Sequence, residues 1–441
     1  MDTFALPIPG SQRNYAWEAV LPNRVFPGDL PEEVWTFSPE YGLGLAGEGV
    51  ERLFSDLFPS VSNRARTGRR QALMAALLAL VQSSRSTGGR RDTGFLHDRK
   101  TSGRKEPTRY KVCDYRKRVF TTVLDALAEV GFVTWHKGFK DKASPLGVSS
   151  LWFPGAQLEE WLASCGELSV TTFRPAKEAV ILRDSSKAKV DYQDNDDTRA
   201  IRARIDAANA LRERVEWTYV ALADDRQYVA EDARTTIHGA SLSCHRVFRE
   251  DFQSGGRFYC GAQGLKKAER ATIRAGGKAT IELDYKSLHP RLLYNSEGLA
   301  APDDCYVSDS RPRDLTKLIS LLCINCKSRK QAERALRSDR PMSAEEARYH
   351  LSGYIGEHPA IAHRFFQSDW KRLQYLDSRL VDKVLAAGVL RDIPILPVHD
   401  SFIVDTEWGP WLKDQVGQAY REITGFEAII DWEPMPELDF M

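Results

Sequence analysis

The sequence predicts an α+β protein built in two parts, and three observations carry that prediction. Between positions 64 and 118 it holds sixteen Lys/Arg against four Asp/Glu although the net charge of the chain is only +1, so a basic module is joined to a net acidic remainder. Residues 280–294 begin as an alternating strand, with Ile281 and Leu283 on one face and Thr280, Glu282 and Asp284 on the other, and leave a carboxylate where the strand ends. Near the other end of the chain, Leu396-Pro-Val-His399-Asp400-Ser401-Phe402-Ile-Val404 reads as a hairpin with an acid at its tip.

The totals fit a soluble globular chain: 441 residues allow two or three domains, and 42% hydrophobic with 28% charged residues is ordinary. Seven scattered cysteines, an odd number, do not form a disulfide framework. Cys323-Ile-Asn-Cys326 has CxxC spacing but no second pair, no nearby His cluster and an apolar helical setting, which argues against zinc or redox chemistry there. The start lacks the regions of a signal peptide. The longest apolar run, residues 72–81, is too short to span a bilayer, so the expectation is a reducing, cytoplasmic setting with no membrane partner.

Residues 1–60 are rich in Pro, Gly and aromatics (Trp17, Phe26, Trp35, Tyr41, Phe54, Phe58) with little periodicity, which predicts an irregular arm. Over 69–83 the spacing of Leu73, Ala76, Leu77, Leu80 and Val81 predicts a helix with one strong apolar face. Residues 84–108, rich in Ser, Thr, Gly and Arg, read as a basic loop. A second helix is expected over 114–130, stopped by Gly131, then a strand over 132–139, a charged turn at Lys140-Asp-Lys and a second strand over 148–153. Helix, helix and hairpin in this order resemble a winged helix-turn-helix. Arg116, Lys117 and Arg118 would flank its recognition helix and Lys137, Lys140 and Lys142 its wing, and the partner implied is duplex DNA. The same pattern also fits a small α+β domain whose charges are merely solvated. Residues 180–183 read as a short strand and 191–197 as a polar linker, with Asp197 or Thr198 capping a helix that carries Ile201, Ile205, Ala208 and Leu211. The expected divisions are an arm over 1–60, the basic unit over 61–175, a linker over 176–198 and a larger domain over 199–441.

Two carboxylates on adjacent strand ends can share a pair of divalent ions, Mg2+ or Mn2+, which activate an attacking hydroxyl and stabilise leaving pyrophosphate. Mg2+ suits the task because it takes few carboxylates and completes its shell with water and phosphate. Asp284 and Asp400 are the candidates, although a lone strand-end Asp is a frequent turn former. Between them Arg313, Lys317, Leu321 and Asn325 recur at four-residue steps, near one helix face. Two cations, an apolar group and an amide in line suit a triphosphate at one end and a sugar and base further on. Taken alone, that segment is more simply an amphipathic helix with solvent-facing cations.

In this order the three elements resemble the palm and fingers of A-family DNA polymerases, the bacterial polymerase I type, and of single-subunit phage-type RNA polymerases. The first motif of the DNA enzymes reads Asp-Tyr-Ser-Gln-Ile-Glu-Leu-Arg, against Asp284-Tyr-Lys-Ser-Leu-His-Pro-Arg291 here. Their helical motif Arg-x3-Lys-x3-aromatic-x3-Tyr matches at Arg313 and Lys317, and their Val-His-Asp at Val398-His399-Asp400. The continuation Ser401-Phe402 is similar to the phage-type RNA polymerases rather than to the Glu of the DNA enzymes. Gly256-Arg257 stands where those DNA polymerases carry a Gly-Arg pair that contacts the duplex, and the helix around Arg372, Gln374 and Asp377 where one lines the nucleic-acid cleft. Leu321 and Asn325 replace the aromatic and the Tyr. His289 replaces the glutamate that screens the sugar 2′ position, and Ser-Leu-His-Pro is also similar to the Ser-Leu-Tyr-Pro of B-family polymerases, whose Tyr screens likewise.

The resemblance spans about residues 250–405 and implies a right-hand palm on an antiparallel sheet with helical fingers. It implies two Mg2+ or Mn2+ ions on Asp284 and Asp400, and nucleotide contacts from Arg313, Lys317, His289, Asn325 and Tyr285. His399 would lie near the primer terminus, and Arg257, Arg372 and Gln374 would contact nucleic acid. The implied partners are DNA and nucleoside triphosphates, and the implied activity is template-directed nucleotidyl transfer in replication or priming of a mobile element. RNA or primer synthesis, template-free nucleotide addition and a non-catalytic winged-helix DNA-binding protein stay open beside it.

Overall fold

The computed structural model describes residues 13–16, 33–37, 42–85, 93–97, 107–140, 147–148, 150–173, 178–220, 234–237 and 242–433. Two compact units divide the chain, Met1–Glu178 and Ala179–Met441. Val180–Arg183, read as a short strand, is one, and it belongs to the second unit with Val180 fully buried.

The first unit runs β1 (Arg13–Ala16), β2 (Glu33–Phe37), β3 (Leu43–Ala46), α1 (Glu48–Leu57), α2 (Asn63–Arg85), β4 (Thr93–Leu96), α3 (Lys117–Glu129), β5 (Val133–His136), β6 (Phe139–Lys140), β7 (Gly147–Val148), β8 (Leu151–Pro154), α4 (Ala156–Ser164) and β9 (Ser169–Thr172). Its centre is α2, whose residues 71–83 are all buried rather than one face of them. The reason is local composition: a helix apolar all round is enclosed, not laid on a surface. Phe54, Phe120, Leu124 and Trp152 complete the core around it. β5 and β8 pair antiparallel, with Trp135 stacked on Trp152 at 5.1 Å, so the expected hairpin forms. It belongs to a larger sheet, ordered β1-β2-β4-β8-β5. Residues 13–16 and 33–37 of the expected arm form β1 and β2, and two further stretches depart from expectation. Residues 43–57, taken for part of an irregular arm, form β3 and α1, with Leu45, Val50 and Phe54 in the core. Residues 93–96, taken for loop, form β4 between β2 and β8; a four-residue strand is too short to leave a periodic signature. Trp17, Phe26, Tyr41 and Lys142 lie outside the described residues.

The second unit is a mixed α+β fold. It runs β10 (Val180–Arg183), α5 (Asp196–Glu213), β11 (Trp217–Val220), β12 (Arg234–Thr236), β13 (His245–Arg249), β14 (Asp251–Tyr259), α6 (Lys267–Arg270), β15 (Arg274–Ala275) and β16 (Lys278–Tyr285). Then follow α7 (Leu288–Ser296), α8 (Arg313–Asn325), α9 (Arg329–Asp339), α10 (Ala344–Glu357), α11 (Trp370–Leu390), β17 (Leu396–Val398), β18 (Ser401–Asp405), α12 (Gly409–Thr424) and β19 (Ile430–Glu433). Asn195, not Thr198 or Asp197, caps α5: its side chain accepts from Thr198 N at 2.8 Å while Thr198 Oγ1 accepts from Asn195 N at 2.9 Å.

An antiparallel seven-stranded sheet ordered β12-β11-β15-β16-β18-β17, with β19 on β16, holds the unit together, and β10-β13-β14 form a smaller sheet. Along β16 the side chains alternate. Ile281, Leu283 and Tyr285 enter a core with Phe402, Val404, Val416 and Tyr420, while Glu282 and Asp284 take the opposite face. Each such buried apolar side chain contributes about 1.5–3 kcal/mol. Leu283→Ala should therefore cost the second unit about 2–5 kcal/mol, read as a lower urea midpoint at unchanged m-value.

Candidate active site

Register brings the two acidic motifs together. β16 pairs with β18 so that Asp284 lies opposite Ser401, one residue from Asp400, and pairs with β19 so that Asp284 lies opposite Asp431. Directly opposed residues of antiparallel strands share a face, so Asp284, Ser401 and Asp431 share one. Asp400 occupies the two-residue turn closed by the Val398–Ser401 pair, and His399 before it has φ 57°. That left-handed backbone is costly for a side-chain-bearing residue and persists only where its surroundings impose it.

The electrostatics are unusual for carboxylates. Burial pushes Asp284 up to about 8, reinforced by the charges of Asp400, Glu282 and Asp431 and opposed by Lys317. Burial also raises Asp400, with Asp377 adding to it and Arg257 opposing. Asp284 Oδ1 is buried without a hydrogen-bond partner among the described residues. Glu282 is answered instead, by Ser401 Oγ and by Arg270 at 3.1 and 3.2 Å. Two crowded carboxylates, one with an orphaned oxygen, are a donor set that fits a hard divalent cation. Among the described residues no group of three or more His, Cys, Asp or Glu side chains is arranged to hold a metal, so water and phosphate would have to complete the shell.

α8 presents the expected row. Arg313, Lys317 and Leu321 are exposed and Asn325 half-buried, while Thr316, Ile319, Ser320, Cys323 and Ile324 are buried behind them. Lys317 is the row's link to the acids, through its pull on Asp284. Arg313 is held from the loop before α8: its Nε donates to Asp304 Oδ2 at 2.9 Å and its guanidinium lies 5.4 Å from the centre of the Tyr306 ring. Asp304 also accepts from Ser287 Oγ at 3.0 Å and Tyr306 N at 2.9 Å, and pairs with Lys286 at 3.6 Å. Asp304, Tyr306, Lys286 and Asp431 were not found by sequence reasoning. They lie in a loop without periodicity, in a turn, and on a strand whose partner is far away in the chain.

A second network flanks the acids. Arg257 Nε donates to the buried Asp377 at 3.0 Å, and its Nη2 lies 3.2 Å from His289 Nε2. A guanidinium only donates, so His289 Nε2 accepts and a neutral ring carries its proton on Nδ1. Arg257 is aimed by a bulge at Gly255-Gly256, both with φ above 70°; a Cβ on Gly256 would meet the Phe248 ring at 2.8 Å and Ser378 Oγ at 2.9 Å. Burial lowers His399, while Asp400 raises it.

The other expected residues stand differently. Tyr285, expected to contact nucleotide, points the other way: it is buried, its hydroxyl donates to Val416 O at 2.9 Å, and its ring meets Phe402 and Tyr420. Strand alternation puts it opposite in sense to Asp284, so this expectation is corrected. Arg372 is paired with Asp369 at 3.2 Å and Ser296 at 3.2 Å, and Gln374 beside it is half-buried. Arg116, Lys117 and Arg118 belong to the first unit, where they open α3, all exposed.

No protein-family model matches the chain, and no curated protein matches it. Among solved structures it is similar to the POL domain of Pol1 from M. smegmatis, in complex with DNA primer-template and dNTP, at 12% identity and a TM-score of 0.31. The alignment covers 88% of this chain and 66% of that one, so the chain spans just under two thirds of the structure it matches. This is a very remote structural resemblance. No helix among the described residues is long and apolar enough to cross a membrane.

The raised Asp284 has a consequence for stability. The folded carboxyl keeps its proton to about pH 8 and the unfolded one releases it near 3.8, so between these values the folded state binds more protons and stability falls as pH rises. Metal-free protein should lose thermal stability from pH 5 to pH 9 more steeply than Asp284→Asn, which stays neutral. The variant should be the more stable of the two at pH 9, by differential scanning calorimetry.

Proposed function

We propose that the second unit is a template-directed nucleotidyltransferase that extends a nucleic-acid strand from nucleoside triphosphates, and that the first unit holds DNA. The observation that carries the reading is the crowded pair Asp284 and Asp400, with one orphaned buried oxygen, influenced by a cation on the helix that matches the triphosphate-binding motif. Asp284 and Asp400 would hold Mg2+ or Mn2+, which when bound activates the attacking hydroxyl and stabilises the leaving group. Lys317 and Arg313 would neutralise the β and γ phosphates as pyrophosphate leaves. His289 would present its Nδ1–H edge beside the sugar, with Nε2 engaged by Arg257. His399, at the strained turn, would stand near the primer terminus.

For the first unit, the support is a helix start that carries cations and no acid. Arg116, Lys117 and Arg118 oppose the α3 dipole, so they do not serve helix stability, while cations with a helix N-terminus suit phosphate. A second reading, RNA or primer synthesis, is favoured by Ser401: it stands after Asp400 as in phage-type RNA polymerases and takes up Glu282.

Purified protein given a primed template, Mg2+ or Mn2+, and deoxy- or ribonucleotides separately tests the reading. Extension is expected, with Asp284→Ala and Asp400→Ala each lowering kcat by about 10²–10³ or more, and Lys317→Ala raising KM for the triphosphate about tenfold, near 1.4 kcal/mol. Extension with one sugar class decides between DNA and RNA synthesis. No extension while duplex binding persists unchanged in both Asp variants leaves a binding protein. Neutralising Arg116, Lys117 and Arg118 together should flatten the salt dependence of duplex affinity by about three in log–log slope, measured by fluorescence anisotropy.

A further inference from the structure

Arg212 is a cation in the core. Its side chain is fully buried and donates to Leu242 O at 3.1 Å, Ile395 O at 2.9 Å and Asn209 Oδ1. Among the described residues it makes no ion pair. A buried charge held only by neutral oxygens is expensive, and any nearby group able to become an anion is correspondingly favoured.

Two thiols are placed to do this. β13 and β14 pair with His245 opposite Tyr259 and Arg246 opposite Phe258, so one step further along the same register Cys244 faces Cys260. Opposed residues in antiparallel strands have Cα atoms about 4.5–5.5 Å apart, within the range of about 4.4–6.8 Å that a disulfide spans. Cys244 Sγ donates to Leu242 O at 3.7 Å, the carbonyl that also accepts from Arg212 Nε at 3.1 Å. Asn209 pins the Cys244 backbone, accepting from its N–H at 2.8 Å and donating to its carbonyl at 3.0 Å. Cys260 Sγ faces Pro397 O at 3.5 Å, on the strand that leads into the His399–Asp400 turn.

The two sulfurs are not equivalent. Burial alone would raise the Cys244 thiol, but the hydrogen bond from Cys260 and the Arg212 charge outweigh it and lower the group. Cys260, which shares its proton, is raised, and it is the one of the two with exposed surface. Cys260 is thus the less enclosed residue of the pair, and Cys244 the buried one behind it.

We propose that Cys244 and Cys260 form a redox-active dithiol, a modification site closed to an internal disulfide by low-molecular-weight disulfides. Cys260 loses its proton and attacks one sulfur of the small disulfide, leaving a mixed disulfide and releasing one small thiolate. Cys244 thiolate then attacks Cys260 Sγ, forms the Cys244–Cys260 bond and expels the second small thiolate. The protein loses two electrons and two protons, the small disulfide gains them, and two small thiols result. Arg212 favours the thiolate of the reduced form, which makes the bond easily reopened, as in oxidoreductases whose reduced form is stabilised. None of this depends on the nucleotidyl-transfer reading.

The full-length protein, equilibrated with oxidised and reduced glutathione at fixed ratios, quenched in acid, alkylated and mapped by mass spectrometry, tests the proposal. The Cys244 and Cys260 peptides should appear cross-linked and two hydrogens lighter in oxidising buffer, and return fully to alkylated thiols in reducing buffer. Cys244→Ser should stop at a glutathione adduct on Cys260; Cys260→Ser should leave Cys244 unmodified. Circular dichroism checks that each variant folds, and if either does not, the wild-type map decides alone. Two alkylated thiols in folded wild-type protein under the most oxidising buffer overturn the proposal, as does a cross-link seen only after unfolding in urea.

Discussion

The antiparallel register between β16 and β18 is the constraint on which the rest of the second unit depends. Leu283 opposite Phe402 and Ile281 opposite Val404 are buried pairs on one face, and they set Asp284 opposite Ser401 on the other. A slip of one residue would turn the apolar set outward, so the hydrophobic face locks the polar one. The acid pair is therefore held by burial of groups that take no part in its chemistry. The cost of crowding two carboxylates, and of holding His399 at φ 57°, is borne by that apolar face.

Charge around the pair is layered. Lys317 acts on Asp284, and Arg257 acts on Asp400 while bonded to the buried Asp377. Asp304 gathers Arg313, Lys286 and Ser287 and fixes the Tyr306 backbone, so a cation meant for solvent is oriented by a carboxylate and a ring. Such fixed neighbours need little reorganisation when a charged ligand arrives, unlike a solvated row of cations. Arg212 shows the opposite case: a cation buried among carbonyls, with thiols as the groups able to answer it.

Much of the architecture was legible because it rests on short-range pattern. The alternation of Ile281 and Leu283 against Glu282 and Asp284, the hairpin around His399-Asp400 and the four-residue steps of Arg313, Lys317 and Leu321 are periodicities that a strand, a turn and a helix must express. Short or enclosed elements were not. β4 has too few residues to show a period, and α2, apolar on all sides, showed a face where there is a cylinder. The α5 cap moved to Asn195 because Asn, Asp and Thr all cap well and only the backbone decides among them. Tyr285 was misplaced for a plainer reason: it adjoins Asp284 in sequence, and in a strand adjacent residues face apart.

By itself, then, the sequence determined which residues lie on which face of the periodic elements such as β16 and α8, since that follows from the period of the backbone. It also determined that a basic part and an acid-bearing part would be distinct, since charge composition is local. The tertiary structure alone decided what faces what. Asp431 opposite Asp284, Asp377 beneath Arg257 and Asp304 beneath Arg313 are meetings of separate segments. Strand register and helix packing create those meetings, and neither is written in the spacing of either segment.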